Sequence, residues 1–115
     1  MTDRSKIELR NQTFDTPRIL HEAGVKIAIM TDSPVIPEQY LSLCAGLAAK
    51  SGLDEMEALK AITINPAEIV GIADRVGSIE VGKDADIVIF NGNPLKDIDS
   101  KTYMTIIDGE IVFRS

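Results

Sequence analysis

The run Ile27-Ala28-Ile29-Met30 sets four apolar residues in a row without alternation, and its flanks limit what it can become. Ahead of it, Thr16 can cap, Pro17 suits a first helical turn, Ile19 and Leu20 supply an apolar face, and Gly24 can stop a helix left-handed. These signals predict a short helix over about 17–23. An unbroken apolar run directly after a helix suits a strand covered on both faces, as parallel strands are. Thr31-Asp32-Ser33-Pro34 ends the run, because Pro34 and Pro37 keep Ser33 and Ile36 out of the helical region. Helix then strand is the second half of a βαβ-type unit, with Asp32 at the carboxyl end of a buried parallel strand.

Upstream, Ile7 and Leu9 alternate with Lys6, Glu8 and Arg10, which reads as a loop or short edge strand over residues 1–13. Downstream, Tyr40, Leu41, Leu43, Cys44, Leu47 and Ala48 stand at helical spacing, giving a helix over about 38–51 with Gly52 as its stop. Asp54-Glu55-Met56-Glu57 resembles a capping box, with Leu53 and Ala58 placed for a staple. Asn65-Pro66 repeats the cap-plus-proline device, and Gly71 closes that short helix. After Gly71, glycines separate β-branched runs at 78–81, 87–90, 104–107 and 111–113, and Asp108-Gly109 signals a hairpin. A helical half is thus followed, near residue 72, by an all-β half.

With 115 residues, 44% of them hydrophobic and 26% charged, the chain can bury one core and is unlike disordered sequences. A net charge of -6 with scattered Lys and Arg argues against nucleic acid as a partner. The charge, and the lack of Lys or Arg on the helix after Asn65, also argue against reading the two consecutive capped helices as a helix-turn-helix. No apolar stretch reaches membrane-spanning length, and Met1 to Arg10 lack a signal-peptide pattern, so a cytoplasmic protein with no membrane partner is expected. The single cysteine, Cys44, falls on the apolar helical face and reads as a small buried hydrophobe.

Asp32 is the candidate for chemistry. Ligands in parallel α/β folds sit beyond the carboxyl ends of the strands, where a carboxylate can bind a cation or accept a proton. The competing reading is that Asp32 only caps its turn. His21 lies inside the first helix with no partner at a metal-ligand interval. Asp54, Glu55 and Glu57 read as helix N-terminal charge, and Asp97 and Asp99 as loop solvation. Gly82-Lys83-Asp84-Ala85-Asp86 is a tight β-connection, with Asp86 able to tie the loop before the next strand, and it lacks the spacing of a phosphate loop.

Gly24-Val25-Lys26-Ile27-Ala28-Ile29-Met30-Thr31-Asp32, then Ala58-Leu59-Lys60-Ala61-Ile62-Thr63-Ile64-Asn65-Pro66-Ala67, then Gly71 to Gly77, then Gly82-Lys83-Asp84-Ala85-Asp86, occur in this order. Together they closely resemble the C-terminal segment of the amidohydrolase superfamily, nearest its imidazolonepropionase-like branch, from about residue 16 onward. The resemblance implies a partial α/β fold. Residues 1–71 would be the end of a (β/α)₈ TIM-type barrel, with the last strand at 25–31 and the helices after it. Residues 72–115 would be strands of a small composite β-sandwich. It further implies that Asp32 binds a divalent metal, usually zinc, and takes a proton from the attacking water. The implied substrate is a small cyclic amide, imide or amidine, cut at a C–N bond other than a peptide bond.

The departures qualify this. The family's His-x-His pair, its later barrel histidines and its bridging lysine have no counterpart here, and close relatives often carry histidine where Ser33 stands. One carboxylate against the three or so ligands of a zinc site implies that these residues alone neither hold zinc stably nor catalyse. A barrel strand without its neighbours bares its edges, so self-association is expected. A non-catalytic α/β interaction or scaffold module remains the alternative.

Overall fold

The computed structural model describes Ile7, Asn11 and residues 13–115. The loop or edge strand expected over 1–13 falls almost wholly outside them.

The first helix, α1, spans Thr16–Glu22 with Pro17 in its first turn. Asp15, not Thr16, holds the N-cap position, and no side chain caps the helix; Thr16 is already helical. Gly24 follows at φ +83°, as its position after the helix requires. A 3₁₀ turn, Glu38–Tyr40, leads into α2, Leu41–Lys50. Cys44, Ala45, Gly46 and Ala48 are its buried residues, whereas Leu43, expected on the covered face, is exposed. At about 100° per residue, Leu43 is turned well away from Leu41 and Ala48 around the helix.

The Asp54 carboxylate accepts from the N–H groups of Met56 (3.0 Å) and Glu57 (3.2 Å), starting α3, Glu55–Lys60. Half of the expected capping box forms: Glu57 pairs with Lys60 at 2.9 Å instead of returning to Asp54. Leu53 and Ala58 join Ala45 and Ala48 in the core, against which Ile27, Ile29, Ile62 and Leu95 pack. This core is built of small residues, and no large side chain is fully buried among the described residues. The last helix, α4, covers Ile64–Val70. It ends at Gly71, φ +82°, with the Ile72 N–H reaching the Ala67 carbonyl at 2.8 Å, a Schellman-type closure. Asn65 is not its cap. Thr63 holds that position, and the Asn65 amide turns elsewhere.

The β half is an antiparallel sheet in the order β1 (Ile87–Phe90), β2 (Thr102–Ile107), β3 (Glu110–Arg114). Asp108 (φ +51°) and Gly109 (φ +80°) join β2 to β3, both in the left-handed region that a two-residue type I′ hairpin demands. The Asp86 carboxylate accepts from the Asp108 N–H (2.9 Å) and the Ala85 carbonyl from the Gly109 N–H (3.0 Å), so the loop before β1 is tied to the hairpin. Arg75 pairs with Asp84 at 2.7 Å, and Lys83 lies between Ser78 and Glu80. Two expectations fail. Residues 78–81 form no strand, having no ladder partner among the described residues, and Val81 is fully exposed. β1, expected to be buried, leaves Val88, Ile89 and Phe90 open, because none of the described residues forms a second layer over the sheet.

The loop between β1 and β2 joins the halves. Its neck closes where the Asn91 N–H meets the Lys101 carbonyl (3.0 Å) and the Lys101 N–H meets Asn91 Oδ1 (2.7 Å). Asn93 Nδ2 and Lys96 Nζ each reach the Glu55 carboxylate at 2.5 Å, on the first turn of α3. An apolar cleft of about 850 Å³, lined by Leu59, Ile62, Val70, Val76 and Phe90 among others, runs between helices and sheet. Among the described residues, no helix is long and apolar enough to cross a membrane.

Candidate functional site

Residues 25–31 form no hydrogen-bonded ladder among the described residues, so the expected parallel strand lacks strand neighbours. Its burial nevertheless alternates: Ile27 and Ile29 are half-buried, Thr31 is buried at 8% exposure, and Ala28 and Met30 face outward. That period of two is the signature of an extended run with one covered face, where both had been expected to be covered. The covered face packs on the core formed by Ala45 and Ala48 of α2 with Leu53 and Ala58. Three contacts fasten the run to α3 and α4: the Ile29 N–H to the Ala61 carbonyl at 2.8 Å, Asn65 Nδ2 to the Ile27 carbonyl at 3.0 Å, and the Lys26 ammonium to the Glu68 carboxylate.

Asp32 stands at the end of this run, exposed, with φ +52°. Aspartate tolerates the left-handed region better than most residues, yet outside glycine such conformations cluster at turns and functional sites. The turn is closed by the Val35 N–H to the Asp32 carbonyl (2.9 Å) and the Ile36 N–H to the Thr31 carbonyl (3.2 Å). Backbone groups thus hold the turn, and the Asp32 side chain projects from it into solvent. The carboxylate does not cap its own turn in place of those bonds.

The other titratable residues lie elsewhere. His21 Nδ1 is 3.9 Å from Glu57 Oε2, near the end of α1. Cys44 is buried inside α2. Asp97 is less idle than a solvated loop residue, since its carboxylate accepts from the Asn93 N–H at 2.7 Å. Glu55 is held below the ordinary glutamate range, first by its bonds to Lys96 and then to Asn93. Among the described residues, no group of three or more His, Cys, Asp or Glu side chains converges as a metal site would require. A zinc site takes about three protein ligands, so the donors among the described residues do not by themselves fit one. Sequence reasoning missed Asn65 as an anchor; its proline neighbour suggested a helix start, and only the fold brings it to Ile27.

The profile of the amidohydrolase family matches residues 2–112. Among individual proteins, the imidazolonepropionase of Geobacillus kaustophilus is 42% identical over 89 residues, covering 72% of this chain and 20% of that protein. Among solved structures, an amidohydrolase from Thermotoga maritima superposes with a TM-score of 0.94 at 46% identity, over 99% of this chain and 30% of that one. A Xaa-Pro dipeptidase with methionine bound in its active site superposes with a TM-score of 0.75 at 33% identity, over 89% and 25%. The chain therefore spans less than a third of the length of each of these proteins. Its fold is shared with amidohydrolase structures across nearly its whole extent, and the chain belongs to the amidohydrolase family.

Proposed function

We propose that this chain is the C-terminal portion of a hydrolase that cleaves C–N bonds, and that Asp32 is its catalytic carboxylate. The observation that carries the reading is an exposed aspartate in a left-handed turn at the end of an apolar run, within a fold shared at a TM-score of 0.94 with an amidohydrolase. In this reading residues 25–31 are the last strand of a (β/α)₈ barrel, and residues 1–71 complete its wall. Residues 72–115 form part of a composite β-sandwich. The open faces of β1 and β3 support this, since apolar residues such as Phe90, Ile111 and Phe113 call for a second layer.

Asp32 would accept the proton of the attacking water and pass it to the departing nitrogen. It would also give one oxygen donor to a divalent-metal site, zinc by analogy with the family, whose other ligands lie outside this chain. The 115 residues alone are accordingly inactive. The substrate is a small cyclic amide, imide or amidine, a choice supported by the imidazolonepropionase relatives. A second reading, hydrolysis of a peptide bond to proline, is favoured by the likeness to Xaa-Pro dipeptidase.

The test is metal analysis and a panel of lactams, imides, amidines and Xaa-Pro dipeptides, run on the longer enzyme and its Asp32→Asn variant. Turnover of cyclic substrates lost in the variant supports the first reading; turnover of the dipeptides alone supports the second. Equal activity of both proteins removes the role assigned to Asp32, and no hydrolysis at all returns the chain to the scaffold alternative.

A further inference from the structure

Among the described residues no strand pairs with the run that carries Asp32, and its register against the helices is set by contacts to the α3–α4 junction. Register matters because the side chains of an extended segment alternate, and a slip of one residue exchanges its faces. Here it would drive Ala28 and Met30 toward the α2–α3 core and turn Ile27, Ile29 and Thr31 out. Hydrophobic packing alone guards this weakly, since both faces of the run are apolar.

Two contacts to the backbone of the run distinguish the registers, beside an exposed ion pair from Lys26 to Glu68 on α4. In a parallel ladder one residue of the neighbouring strand donates its N–H to the carbonyl of residue i and accepts the N–H of residue i+2. Ile27 and Ile29 present that same pair, and the α3–α4 junction answers it with the Ala61 carbonyl and the Asn65 side-chain amide. Ala61 supplies the acceptor from its backbone, which any residue there would do. The donor is different. The Ile27 carbonyl is reached by a side chain 38 positions away, and aspartate, leucine or alanine at position 65 could not make that bond.

We propose that Asn65 is a positioning residue for Asp32: its amide imitates a neighbouring strand, fixes the register of residues 25–31, and so sets where the Asp32 turn emerges. The effect on catalysis rests on the reading of Asp32 given above, whereas the effect on register does not. The point of attachment lies five residues upstream of Asp32, and beyond it Ile29 and the buried Thr31 continue the covered face to the turn.

The experiment compares Asn65→Leu, which keeps shape and loses the donor, with Asn65→Asp, which replaces the donor by an acceptor. Amide hydrogen exchange on the 115-residue chain is the first readout. Both variants should speed exchange at Ile29, Val35 and Ile36 by about tenfold, the size expected for losing one partly buried hydrogen bond, while Met104 to Ile107 stay unchanged. Unchanged exchange at those three amides, or equal acceleration in the β2–β3 hairpin, overturns the proposal; the second result would make Asn65 a general fold residue.

In the longer enzyme both variants should lower kcat by about tenfold with KM within about twofold, because misplacing a proton acceptor affects the chemical step more than binding. A rise in KM at constant kcat overturns the positioning role. Asp32→Asn serves as the control that separates the two ideas. If it leaves activity intact, the reading of Asp32 has failed, and the exchange result still decides whether Asn65 sets the register.

Discussion

Gly46 in α2 lies against the main chain of Leu95, so close that a β-carbon at position 46 would stand 2.4 Å from the Leu95 carbonyl oxygen. The helix gives up side-chain volume there to let the loop between β1 and β2 approach, and Leu95 packs into the small-residue core through the gap. Gly46→Ala should destabilise the chain by about 1–2 kcal/mol, with steric overpacking outweighing the helix-propensity gain of alanine. Urea unfolding at fixed protein concentration reads this directly; an unchanged or raised midpoint would mean that the loop yields freely.

Asp32→Asn should leave stability within about 0.5 kcal/mol of the native chain, because asparagine accepts a left-handed backbone as readily as aspartate. In the longer enzyme the same change should cost about 10²- to 10⁴-fold in kcat, the range for removing a positioned proton acceptor. Thermal melts and steady-state kinetics on one pair of proteins separate the two effects.

Glu55 gives the acid limb of stability its direction. Its carboxylate is stabilised in the folded chain by Lys96 and Asn93, so its folded pKa lies below the unfolded one. Its contribution is therefore present above the ordinary glutamate range and is lost as pH falls through the lowered folded value. Glu55→Gln should make stability less steeply dependent on pH across that acid window, with little change in slope near neutrality. The interaction is exposed, and salt should weaken it. A variant whose acid unfolding follows the native curve would show that the pair does not form in solution.

The chain by itself should associate. Met30, at 70% exposure, and the open residues of β1 and β3 leave more apolar surface uncovered than a soluble monomer carries comfortably. Light scattering at micromolar protein should give a mass above that of one chain, rising with concentration, and Val88→Lys should reduce it. A monodisperse monomer over the same range would contradict the expectation.

Local chemistry was readable where one or two residues decide the outcome. Asp54 as a cap depends on a short side-chain acceptor, Gly71 as a helix stop and the Asp108-Gly109 hairpin on a left-handed backbone that few residues permit, and each forms. Where the outcome depends on a neighbour, the sequence alone does not decide it. The runs at 25–31 and 78–81 have the composition of strands, but a strand forms only with a ladder partner, and among the described residues none supplies one. Asn65 shows the same limit from the other side: its pairing with Ile27 joins positions 38 apart, beyond the reach of any local pattern. Asp32 was legible as a candidate from its place after an apolar run, while its left-handed backbone was not.

Helix α3 is only six residues long, yet both of its ends are occupied. At its first residue, Glu55 grips the loop that leaves β1; just past its last, the Ala61 carbonyl receives Ile29. Six residues of α-helix measure about 9 Å and scarcely stretch. The helix therefore acts as a rigid gauge between the sheet and the Asp32 run, and the two can drift apart only if one of those end attachments gives way.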